Sequence, residues 1–100
     1  MFRTRQALSL EAAESMAAQG LAFLAEDPAR LSRFLAVTGL TPDQIRAQMN
    51  APQFLAGVLE HLAGDESLLL VFAANTMIAP ETITPALALL QQASSGSESS

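Results

Sequence analysis

The sequence predicts an all-α protein, a compact bundle of five or six short helices formed by two tandem, internally related three-helix halves. Three observations predict it. Shifted by 38 residues, the chain aligns on itself without a gap, 16–46 on 54–84, with 11 of those 31 positions identical. Its apolar residues recur at helical rather than alternating spacing. A helix stop followed by a helix start is also written twice, as TGLTPDQI at 38–45 and as TMIAPETI at 76–83.

The aligned pairs include Asp27/Asp65, Phe34/Phe72, Thr38/Thr76 and Pro42/Pro80, which the Ala- and Leu-rich composition does not explain. A fixed internal period of this kind is the mark of a duplicated unit.

The first helix of the unit is clearest in the second copy. There Phe54, Leu55, Val58, Leu59 and Leu62 follow the i, i+1, i+4, i+5, i+8 spacing of one helical face. Met16, Ala17, Gly20, Leu21 and Leu24 form a thinner version of that stripe. Asp27 and Asp65 stop this helix and cap the next, because a carboxylate accepts from the free N–H groups of a first turn. Pro28 follows at a position where its missing N–H is no loss.

The second helix is expected over about 28–37 and 66–75. Gly39 closes the first copy, being suited to the left-handed conformation that ends many helices. Thr41-Pro42-Asp43-Gln44 then reads as a capping box opening a third helix. In the second copy Met77 replaces Gly39 and Ala79 replaces Thr41, so a different turn geometry is expected, or a last helix starting at Thr84-Pro85. Asn50 to Pro52 marks the start of the second half. One domain over 1–92 is expected, with the terminal SSGSESS in a disordered tail, 93–100, that has no apolar anchor.

Composition narrows the function classes. One hundred residues close one modest core. Without cysteine there is no disulfide, thiolate metal site or cysteine nucleophile. Five Arg and no Lys face three Asp and seven Glu, for a net charge of -5. That balance disfavours phosphate backbones and anionic membranes. The longest apolar run, 68–74, is far short of a bilayer span. A cytoplasmic protein without a membrane partner is expected.

Catalytic equipment is sparse. His61, the single histidine, stands one helical turn before Asp65 and could share a metal with it, but no third ligand is evident. In the self-alignment His61 takes the place of Phe23, which favours a packing role. The carboxylate pairs Glu11/Glu14 and Asp65/Glu66 open predicted helices, where the helix dipole favours negative charge. There is no nucleophile elbow and no phosphate-binding glycine loop. No enzyme, cofactor, metal or small-molecule substrate is expected.

The segments LAEDPARLSRFLAVTGLTPDQIR and APQFLAGVLEHLAGDESLLLVFAA carry a further signal, in the order Asp27-Pro28, Arg33-Phe34-Leu35-Ala36, Thr38-Gly39-Leu40, Pro42-Asp43, Pro52 with Phe54-Leu55, and Asp65-Glu66. Over 21–83 this resembles a small family of uncharacterised, all-helical bacterial proteins of about this length. The family has no assigned activity, so the resemblance implies a helical fold and no site residue. Met77 departs from the glycine that the turn would otherwise carry.

The two copies of the second helix differ most. PARLSRFLAV sets Arg30, Ser32 and Arg33 among its apolar residues, whereas ESLLLVFAAN has Leu68, Leu70 and Val71 at those positions. A helix that is apolar all round is enclosed on every side, by its own domain or by a partner. So short a chain needs one enclosed element, which favours the central helix of the bundle. The function expected is nonetheless a non-catalytic interaction module that binds another protein or itself. Leu68, Leu70 and Val71 are its candidate contacts, with Arg30 and Arg33 as a basic flank.

The alternative is a helix-turn-helix-like nucleic-acid-binding regulator using the Gly39 turn and Arg46. A reading helix with one Arg, opened by Asp43, makes that the weaker expectation.

Overall fold

The computed structural model of the chain describes residues 8–96. Among them run six α-helices and one 3-10 turn, without a strand. The helices are α1 (Leu10–Ala25), α2 (Pro28–Thr38), α3 (Pro42–Gln48), α4 (Pro52–Ala63), α5 (Glu66–Thr76) and α6 (Ile83–Gly96), with the 3-10 turn at Pro80–Thr82 just before α6.

Local chemistry sets most of these boundaries. Ser9 caps α1, its hydroxyl accepting from the Ala12 N–H at 3.0 Å. That start lies upstream of the stripe that opens at Met16. Asp27 caps α2 through the Ala29 N–H at 2.9 Å, and Asp65 caps α5 through the Leu68 N–H at 3.2 Å. Each such cap contributes about 1 kcal/mol. Thr41 and Gln44 form the expected reciprocal capping box. Near their ends α2 and α5 are tied alike, Thr38 Oγ1 donating to the Phe34 carbonyl at 2.8 Å and Thr76 Oγ1 to the Phe72 carbonyl at 2.7 Å.

The turn after α5 does not take the different geometry expected of it. Met77 closes α5 at φ 63°, ψ 23°, and Gly39 closes α2 at φ 75°, ψ 10°, both in the left-handed region. The last α-helix begins at Ile83, directly before the expected start at Thr84-Pro85. The 3-10 turn opens at Pro80, and the Thr82 hydroxyl donates to the Ala79 carbonyl at 2.7 Å where Ala79 offers no capping side chain. A left-handed L-residue costs about 1 kcal/mol relative to glycine. Met77 is 89% exposed, so its side chain contributes no burial in return. Met77→Gly is therefore expected to raise stability by about 1 kcal/mol in urea unfolding; a loss would mean that the Met77 side chain packs in solution.

The enclosed element is α4, not α5. Helix α4 buries Phe54, Leu55, Ala56, Val58, Leu59 and Leu62, lying between α1 and α6. Gly20 on α1 admits the closest approach, since a Cβ there would stand 2.9 Å from Leu62 Cδ1 and 3.1 Å from Val58 Cγ1. Helix α6 packs on both α1 and α4 through Ile83, Ala86 and Leu90. Helix α2 lies on α1, and α5 lies on α4 while reaching α1 through a tilted Phe23–Phe72 ring pair with centroids 5.5 Å apart.

The expectation that α5 is the enclosed central helix is thus corrected. Of its residues only Phe72 and Ala73 are buried, because neighbours cover one side of it and, among the described residues, no helix covers the other. The last helix also continues past Gln92 to Gly96; the rest of the expected tail, 97–100, lies outside the described residues. No single helix is long and apolar enough to cross a membrane among the described residues. The bent pair Glu66–Thr76 and Pro80–Ser94 has the length and composition, but turns through 110°.

Candidate partner-binding site

Helix α5 carries apolar residues around its whole circumference, and its packing divides them. Phe72 is fully buried and Leu68 and Leu69 half-buried, whereas Leu70 is 52% and Val71 43% exposed. Leu70, Ala74 and Met77 follow the i, i+4, i+7 spacing of one helical face, and all three are exposed. The result is an apolar strip along the outer side of α5 and over its C-terminal turn.

Arg30 and Arg33 stand one turn apart on α2. Arg30 is held in place, its Nη1 donating to the Phe23 carbonyl at 3.3 Å and its Cζ lying 4.1 Å above the Phe23 ring, with Asp27 Oδ2 3.8 Å from Nε. A guanidinium stacked this way is fixed by several weak attractions at once. Arg33 is exposed and engages no carboxylate among the described residues.

A cleft of about 260 Å³ between α2 and the α4–α5 junction is lined by Ala29, Arg30, Arg33, His61, Asp65 and Leu68. The His61 ring stands edge-on to Phe34, with centroids 5.1 Å apart. Its Nε2 is buried and has no hydrogen-bond partner. Partial burial holds the His61 pKa below its ordinary value; Asp65 opposes that shift and Arg33 adds to it. The folded protein therefore resists a proton that the unfolded chain accepts. This contribution to stability is complete above about pH 6.5 and declines as the pH falls from there toward the lowered folded value.

The fold thus brings together three sequence-predicted contacts, Arg30, Arg33 and Leu68, in one cleft with His61. Leu70 and Val71 lie on the outer side of the neighbouring helix. Arg46 is elsewhere, on α3, where it is exposed and paired with Asp43. It borders a separate apolar groove of about 240 Å³ formed by Leu21, Ala25, Leu31, Leu35, Pro42, Ile45 and Met49. Glu11 and Glu66 sit in first turns and Asp65 is a cap, which accounts for their placement. No three His, Asp or Glu side chains gather into a metal-binding group among the described residues.

Met77 belongs to the strip but was missed in the sequence. Its alignment with Gly39 was the available signal, since an apolar side chain at a left-handed helix end projects outward.

No curated protein and no solved structure matches the chain. A family model described as Protein of unknown function (DUF3572) does match, over residues 10–93, which reaches from the start of α1 well into α6 and beyond the 21–83 stretch that carries the resemblance in the sequence. The chain belongs to the DUF3572 family of proteins of unknown function.

Proposed function

We propose that the protein is a non-catalytic interaction module that docks another protein on the outer face of α5. The observation that carries this reading is the exposure of Leu70 and Val71, 52% and 43% respectively, on a helix already covered on its other side. Apolar contact supplies the main driving force of association. Leu70, Val71 and Met77 form its centre, with half-buried Leu68 at the edge next to Arg30 and Arg33.

The partner is a different protein that presents acidic residues beside an apolar patch. Arg33 engages no carboxylate among the described residues, so an acidic group suits it, while two copies of this chain, each of net charge -5, repel one another as whole molecules.

Two tandem halves underlie this arrangement, and several contacts support that reading. Gly20 and Val58, equivalent in the self-alignment, meet each other where α1 crosses α4. Phe23 packs on Phe72, while its equivalent His61 packs on Phe34, the equivalent of Phe72. Such reciprocal contacts are those of a two-fold axis passing between the halves. The strip on α5 then lies in the half that lost the arginines and Ser32 of α2 and gained Leu68, Leu70 and Val71.

The test uses tagged full-length wild type, Leu70→Glu and Arg46→Ala as baits in nuclease-treated extract. A protein that binds wild type and Arg46→Ala but loses at least about tenfold in affinity for Leu70→Glu, with unchanged helical circular dichroism, is the expected result. Capture that ignores Leu70 removes the reading. Binding that depends on Arg46 and duplex DNA would replace it with the nucleic-acid alternative.

A further inference from the structure

The cleft between α2 and the α4–α5 junction is lined by two guanidinium groups and an imidazole against one carboxylate. Asp65, the one carboxylate in the lining, is held in place by the Leu68 N–H, from which its Oδ1 accepts as the cap of α5. Arg30 is occupied by the Phe23 carbonyl and ring. That leaves the Arg33 guanidinium, with five N–H donors in a planar fork, and the unpartnered Nε2 of His61. Leu68 forms an apolar wall, which strengthens any charge-assisted hydrogen bond made beside it.

We propose that this cleft binds a carboxylate group, clamped by the Arg33 fork with His61 as second donor and Arg30 as a fixed cationic wall. The guanidinium fork matches two carboxylate oxygens, a fit that spherical halide ions do not share. A buried polar atom without a partner carries a desolvation cost that a bound oxygen removes. Arg30 and Arg33 from α2 and Asp65 from the α4–α5 junction are the charged groups that face His61 in the cleft, and Glu60 precedes it on α4 with its side chain exposed. A carboxylate entering this set favours the imidazolium, in which both ring nitrogens donate, so binding takes up a proton. The cleft adjoins the docking face through Leu68 and shares Arg30 and Arg33 with its edge, yet variants at Arg33 leave Leu70 untouched, so the two sites fail separately.

His61 is the single histidine, so its ring C2–H gives one resonance to follow. The full chain is titrated with glutarate, with sodium chloride at matched ionic strength, and with N-acetyl-leucyl-glutamate amide. The expected result is a saturable shift of the His61 signal and a raised His61 titration midpoint with both carboxylates and not with chloride. Arg33→Gln, at an exposed position, should weaken that binding by at least about tenfold while the fold is retained. Tighter binding of the leucyl-glutamate ligand than of glutarate assigns the carboxylate to an acidic side chain of a polypeptide; equal binding assigns it to a free small acid. A response identical in chloride, or one unchanged by Arg33→Gln, overturns the site.

Discussion

Phe72→Ala is expected to lower stability by about 3–5 kcal/mol, a large share of the 5–15 kcal/mol that typically holds a domain together. The ring is fully buried, meets Phe23 at 5.5 Å and joins the inner side of α5 to α1 and α4. Its removal leaves a cavity that helices fixed by their other contacts fill only in part. Leu70→Glu, two residues earlier on the same helix, is expected to change stability by no more than about 0.5 kcal/mol, because the outer side of α5 is exposed. Urea unfolding of the two variants side by side reads both numbers. A large loss for Leu70→Glu would return α5 to the enclosed core that its composition suggests.

Gly20→Val is the second large effect, expected to cost about 1–3 kcal/mol. A Cβ at Gly20 already stands 2.9 Å from Leu62 Cδ1, and the valine methyl groups extend further into α4. Either α1 moves away from α4 or Leu62 and Val58 leave their rotamers, and each disturbs the centre of the core. Gly57, in the middle of α4, gives the contrast, because a Cβ there meets nothing within 4 Å. Gly57→Ala should therefore stabilise by about 0.5–1 kcal/mol through helix propensity alone. Thermal unfolding distinguishes the opposite signs.

These contrasts show which parts of the molecule were legible in its sequence. Helix ends written in local chemistry were readable, because Asp27, Gly39, Thr41 and Asp65 act on their own neighbouring backbone groups. The Phe54-to-Leu62 stripe was readable because a one-sided helix records which side is covered. Helix α5 records nothing of the kind. Its apolar residues surround it, so only the packing of α1 and α4 against one side decides that Phe72 is buried and Leu70 is not. The turn at Met77 was misread for a related reason, since the surrounding chain, with Thr76 bonded to the Phe72 carbonyl, holds a left-handed conformation that the residue itself disfavours. The cleft at His61 depends on α2 meeting the α4–α5 junction, a contact between residues far apart in the chain. Only the pairing of His61 with Phe23 hinted at it, and that pairing pointed to the ring stacking rather than to the two arginines.

Met77 also links stability to the proposed role. An exposed methionine kept where glycine is easier is compatible with a side chain retained for contact, and improving such a position for stability commonly weakens function. Met77→Gly should therefore raise the unfolding free energy while weakening partner binding.

The central claim, that the outer face of α5 docks a different protein, is most directly tested by placing photoreactive benzoylphenylalanine at position 70 and irradiating native cells. Gln53, exposed on α4, serves as the control position. The account predicts a discrete adduct with another protein from position 70 and none from position 53. The same adducts from both positions, no adduct at all, or an adduct of two copies of this chain would contradict it.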